Sequence, residues 1–352
     1  MKKVFFYLLL ILGLGACENQ PLEFNDFDYK SVYFPVQLPI RTLSLGEDRI
    51  DNTLDKEYKF DIGVSIGGMY ENKWNWTVDY TFDADLTDSV YQNAVPNYAP
   101  IYKVLPLPAS YYTIAPQNTV TIPSGSYNGL VRVELNSSFF DDTISLTGRY
   151  VIPLRITDTS ADTILLGKPA ITNADERVRS NWESNKSPKD WVMYGVKYVN
   201  AYHGTYLHRG VDYIDSTASG VHADTIRFRN RYIEKDALIV LTSVARNKVK
   251  TNGVGNLYGT NSMELTFGND KGESGSITIT PRFGSPIVVT GSGQYNEKAS
   301  SEESWTGLKW QSMYLSYSYQ NAGLTHNVRD TLVFRDRGIK WEENSIIISP
   351  VP

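Results

Sequence analysis

The sequence predicts an all-β protein: an N-terminal immunoglobulin-like β-sandwich followed by a C-terminal calycin- or lipocalin-like antiparallel β-barrel. Three observations carry this expectation. Apolar and polar residues alternate in short runs, set apart by Gly, Pro, Asn and Asp, as half-buried strands require. Helical periodicity is nearly absent from Tyr29 onward. The chain also holds 24 tyrosines, and aromatic side chains suit a pleated surface.

The first residues read as a signal. Lys2 and Lys3 precede an apolar run from Val4 to Leu14. That run falls short of the roughly twenty residues needed to span a bilayer, but it suits a signal-peptide core. It ends in Leu14-Gly15-Ala16-Cys17, which resembles the lipobox read by bacterial lipoprotein signal peptidase. Residues 1–16 are therefore expected to be removed and Cys17 to carry lipid, with 17–27 as a polar tether.

The sandwich is expected over 28–176. Tyr58 to Val64, Asn128 to Leu135 and Arg149 to Ile156 are its plainest alternating runs. Pro106, Pro108, Pro116 and Pro123 fall between strands, where a missing N–H costs little. No Cys-Trp-Cys core is present, so an antibody-type domain is not expected. Residues 177–188 are polar and nearly free of aliphatics, and read as a linker. The barrel is expected over 189–352, where Met313, Leu315, Tyr317 and Tyr319 share one strand face. About eight to ten such strands would close into an up-and-down barrel, with a second sandwich as the alternative. Asp224 to Arg231 echoes Asp330 to Arg337, so the two are either equivalent barrel strands or a chance likeness of amphipathic strands.

Two stretches resemble a known family. Leu107-Pro108-Ala109-Ser110-Tyr111-Tyr112 with Val120 to Gly125 is similar to an adhesin-like N-terminal domain common in Bacteroides surface lipoproteins. Lys189 to Asn200, continuing through Tyr202-His203-Gly204-Thr205-Tyr206 to Gly210, resembles its calycin-like partner domain. His208 departs from that motif, where a second basic residue is expected. The resemblance implies a cell-surface or outer-membrane lipoprotein, often encoded with glycan-import systems, and brings no catalytic residues with it.

Composition narrows the chemistry. A net charge of -5 without a basic cluster argues against a nucleic-acid partner. Cys17 is the only cysteine, so internal disulfides and thiolate metal sites are ruled out. His203, His208, His222 and His326 lack metal-ligand spacing, and no nucleophile elbow or dinucleotide loop is present. Asp141-Asp142, Glu302-Glu303 and Glu342-Glu343 are adjacent pairs whose side chains point to opposite strand faces, poor geometry for two-carboxylate glycoside hydrolysis. No catalytic residues, metal or cofactor are assigned, and an enzyme is not expected.

Carbohydrate recognition fits better, because aromatic faces pack on the C–H face of a sugar ring while polar groups meet its hydroxyls. Trp74 and Trp76, two apart, are expected to share a strand face as a ligand platform, with core packing as the competing reading. Trp305 follows a polar loop at the expected barrel mouth, and Tyr202, His203 and Tyr206 are expected at its rim; all four are ligand-binding candidates, with a structural role as the competing reading for the rim residues. Trp182 and Trp191 flank the linker and suit interdomain packing. The expected protein is a non-catalytic outer-membrane lipoprotein facing the cell surface, with the periplasmic face as the alternative. It would be held by its lipid, bind glycan or another extracellular polymer, and stand beside outer-membrane import proteins. The alternatives are an adhesive protein-interaction module and, further off, a glycoside hydrolase or a carrier of a small apolar ligand.

Overall fold

The computed structural model describes residues 26–95, 98–299, 307 and 309–348. Its N-terminal part is a sandwich. One sheet runs in the order Thr163–Ile164, Ser31–Tyr33, Lys59–Gly67, Asn128–Leu135, Tyr112–Ala115. The facing sheet runs Glu342–Glu343, Pro39–Ser44, Trp191–Val199, Tyr150–Thr159, Trp76–Phe82, Thr119–Ile122. Period-two alternation builds the core between them. Phe60, Ile62, Val64 and Ile66 point inward from one strand and meet Val131, Val133 and Leu135 from its neighbour.

The strand Trp191–Val199, expected to open the barrel, belongs to the sandwich. It pairs antiparallel with Tyr150–Thr159 and parallel with Pro39–Ser44. Its near-continuous apolar run is the reason: a strand buried on both faces reads as apolar throughout rather than alternating. Val192, Val196 and Tyr198 enter the sandwich core, while Trp191 and Met193 join Leu86, Val90, Val104 and Val151 in a second apolar layer behind the sheet. A small sheet of Ile346–Ile348, Val90–Val95 and Tyr98–Lys103 lies over that layer. The end of the chain thus returns to the sandwich, and the barrel is confined to Gly204–Asp336 instead of 189–352.

Residues 177–188, expected as a plain linker, are part of a strap bound to the sandwich. Arg155 grips Glu176 and also holds Asp83 (2.5 Å) and Asp190 (2.9 Å). Arg177 donates to the carbonyls of Leu86 and Asp88. The Trp182 indole N–H donates to the Asp175 carbonyl (3.0 Å), so Trp182 serves the strap, and Trp191 serves the outer apolar layer.

The barrel is an antiparallel meander of eight strands: Gly204–Ser216, Ala237–Ala245, Lys248–Thr251, Met263–Phe267, Gly275–Pro281, Val289–Asn296, Ser312–Asn321 and Leu324–Asp336. Pairing of the last with the first closes it. His222–Phe228 extends the edge of Gly204–Ser216 beyond the point where Ala237–Ala245 pairs. The interior is filled by Tyr206, Ile239, Leu241, Met263, Met313, Leu315, Leu332 and Phe334, all buried in one cluster. A carrier of small apolar ligands needs that space empty, so this alternative is corrected. The echoing segments flank opposite edges of Gly204–Ser216, but Asp224 is exposed where Asp330 is buried, so their environments differ.

Arg337 locks the two domains together. It is 3% exposed and donates to the Ala201 and His203 carbonyls on one side and to the Glu47 carbonyl on the other. Gln311 adds its own bond to the Glu47 carbonyl. Gly46 is required at this junction, since a Cβ there would lie 2.1 Å from the Arg337 guanidinium.

Candidate functional site

At one end of the sandwich, three segments are tied into a rigid surface. The strand Lys59–Gly67 ends in a turn at Gly68, whose φ of 94° favours glycine and whose added Cβ would lie 2.1 Å from the Tyr29 carbonyl. The Phe27 N–H donates to the Gly68 carbonyl (3.0 Å), and the Tyr70 N–H donates to Asp26 (2.8 Å). Asn72, 2% exposed, is the hub. Its amide donates to the Pro123 and Ser126 carbonyls, and its Oδ1 accepts from the Trp74 backbone N–H and the Trp76 indole. The Tyr127 hydroxyl donates to the Tyr70 carbonyl (2.5 Å).

This framework leaves large rings in water. Phe27 is 77% exposed, Tyr29 66%, Tyr70 70% and Trp74 67%, with Tyr127 beside them. Trp74 and Trp76 do not share a strand face as expected. The strand begins only at Trp76, whose ring is half-buried against the sandwich core, with its N–H sealed by Asn72. Trp74 lies in the bend before it and faces solvent. Trp74 is thus the exposed member of the pair and Trp76 the packed one, both held by Asn72.

The expected rim residues of the barrel lie elsewhere. Tyr202 and Tyr206 are fully buried. Tyr202 stacks on Phe267 and donates its hydroxyl to Asn269; Tyr206 donates to the Tyr202 carbonyl and packs edge-on against Phe334. They plug the barrel end that faces the sandwich, so the ligand role is corrected. His203 beside them lines a cleft between the domains, and its Nδ1 accepts from the Ser243 N–H (3.1 Å). Burial, then the Arg337 and Lys197 charges, hold its pKa down at about 4. Cys17 and Trp305 lie outside the described residues.

Sequence reasoning missed a polar constellation inside the other half of the barrel. Asp212 meets His326 (2.7 Å), and Asp330 accepts from the Tyr317 hydroxyl (2.6 Å) with His208 Nε2 3.2 Å away. The Gly255 N–H donates to Tyr317, and His208 Nδ1 meets the Tyr258 hydroxyl. Burial, then Asp330, push the Tyr317 hydroxyl well above its usual pKa, so it remains a donor. The available signal was the period-two row His326, Val328, Asp330, Leu332 on one inward face. Among the described residues, no group of three or more His, Cys, Asp or Glu side chains could hold a metal ion.

Together these features define a two-domain all-β protein in which a sandwich carries a closed barrel. Residues 27–163 match a family model described as an N-terminal domain, and residues 201–338 match the domain of unknown function DUF5627. A crystal structure of a protein of unknown function from Bacteroides ovatus is 31% identical, covers 92% of this chain and 100% of its own, and superposes with a TM-score of 0.78. The chain belongs to the same family as that protein. More distant are an auxiliary nutrient binding protein from Bacteroides thetaiotaomicron (14% identity, 84% and 90% coverage, TM-score 0.39) and a second Bacteroides ovatus protein of unknown function (14%, 90% and 99%, 0.40). No curated protein matches the chain.

Proposed function

We propose that this protein is a non-catalytic, lipid-anchored cell-surface protein that binds glycan chains through the aromatic end of its sandwich, beside an outer-membrane uptake system. The supporting observation is the fixed group of exposed rings at Phe27, Tyr29, Tyr70 and Trp74. Exposed aromatics normally carry a cost in solubility, and a contiguous patch marks an interaction surface. Flat rings among carbonyls and amides suit the apolar face and the hydroxyls of a pyranose. The nine residues from Glu18 to Asp26 reach at most about 30 Å, which would keep this surface close to a membrane holding lipid on Cys17.

Affinity gels containing a panel of polysaccharides, run with protein lacking residues 1–17, test the reading. Retardation by at least one polysaccharide is expected. Trp74→Ala should weaken it about three- to tenfold, the value of one aromatic contact, with no change in melting temperature. No retardation by any polysaccharide, together with recovery of a stable protein partner from solubilised outer membrane, would favour the adhesive alternative.

A further inference from the structure

The cleft between the domains is built like a second binding site. It measures about 230 Å³ and is lined by Thr42, Leu146, Lys197, Val199, His203, Thr242 and Ile339, among others. Both domains and the returning C-terminal segment contribute. Thr42 and Lys197 are register partners on parallel strands, so they stand on the same outer face of the sandwich sheet. Lys197 pairs with Glu342 (2.5 Å) from the returning strand.

Two groups in the cleft are not used by the fold. The Thr42 hydroxyl is buried, on a residue 6% exposed, and has no hydrogen-bond partner among the described residues. Buried polar atoms are nearly always paired, so an unpaired one invites a partner from outside. His203 accepts a backbone N–H at Nδ1, which fixes its proton on Nε2, and Nε2 makes no hydrogen bond among the described residues. Held neutral, the ring is a plain donor rather than a cation. Leu146, Val199 and Ile339 supply the apolar part of the lining.

We propose that this interdomain cleft binds a single neutral polyol ring, of the monosaccharide class, with Thr42 and His203 meeting its hydroxyls and Leu146 and Ile339 covering its C–H face. The Lys197–Glu342 pair offers both a donor and an acceptor, matching the mixed character of sugar hydroxyls. A ligand there would touch both domains, which the aromatic end of the sandwich cannot do.

The test is isothermal calorimetry and amide-shift mapping on protein lacking residues 1–17, with free glucose, galactose, mannose and N-acetylglucosamine, and acyclic erythritol as the control. At least one pyranose should bind and shift signals of residues 42, 203 and 242, while erythritol should not. Thr42→Val keeps the shape and removes only an unpaired hydroxyl, so it should fold with a melting temperature no lower than that of the wild type and bind about tenfold more weakly. Trp74→Ala should leave this binding intact while weakening polysaccharide retardation, which separates the two sites. No pyranose binding at tens of millimolar, or equal binding by Thr42→Val, would overturn the proposal.

Discussion

His203 sits where one proton has a measurable price. Its pKa is held down at about 4 by burial and by the Arg337 and Lys197 charges, against about 6.5 in an unfolded chain. Above pH 6.5 the ring is neutral in both states and folding loses nothing. Between about pH 6.5 and 4 the unfolded chain takes up a proton that the native protein refuses, so stability falls as pH falls. Below about 4 both states are protonated and the loss levels off. The effect amounts to roughly 3 kcal/mol at most. In denaturant titrations across this window, the wild type should lose stability that His203→Gln does not; parallel curves would contradict it. Asn72 is the second decisive residue. Asn72→Ala removes bonds to two loop carbonyls and the Trp76 indole, and should cost about 2–3 kcal/mol by chemical unfolding while also lowering polysaccharide retardation.

At the scale of elements, the alternating strands were legible and the doubly buried ones were not. Lys59–Gly67 and Asn128–Leu135 show their inner faces directly in the order of residues. Trp191–Val199 reads from the sequence as a barrel strand but serves the sandwich, because a run with no polar face carries no information about which core it serves. The same limit applied to Tyr202 and Tyr206, whose hydroxyls suggested a wet rim but are satisfied by Asn269 and a carbonyl inside the barrel. Trp74 and Trp76 were legible as a pair, but their opposite fates depend on where the strand begins and on Asn72, which only tertiary contacts reveal. The C-terminal return carries its own expectation. A chain ending at Lys340 loses Glu342–Glu343 and Ile346–Ile348, uncovering the layer around Trp191. Its sandwich should unfold at lower temperature and become sensitive to limited proteolysis, while barrel peptides persist; equal protection of both domains would count against this assignment.

For the whole molecule, the junction determines whether the two domains act as one body. Arg337 donates to carbonyls on both sides, with no carboxylate partner among the described residues, so its removal leaves buried acceptors unpaired. Arg337→Met should destabilise by about 3 kcal/mol or more and broaden the distance distribution in small-angle scattering. An unchanged profile and stability would show that the apolar contacts alone hold the pose. The central claim is that the aromatic end engages glycan. Hydrogen–deuterium exchange with and without a retained polysaccharide tests it most directly: protection should appear over residues 68–76 and 123–127, and protection confined to the barrel, or none, would contradict it.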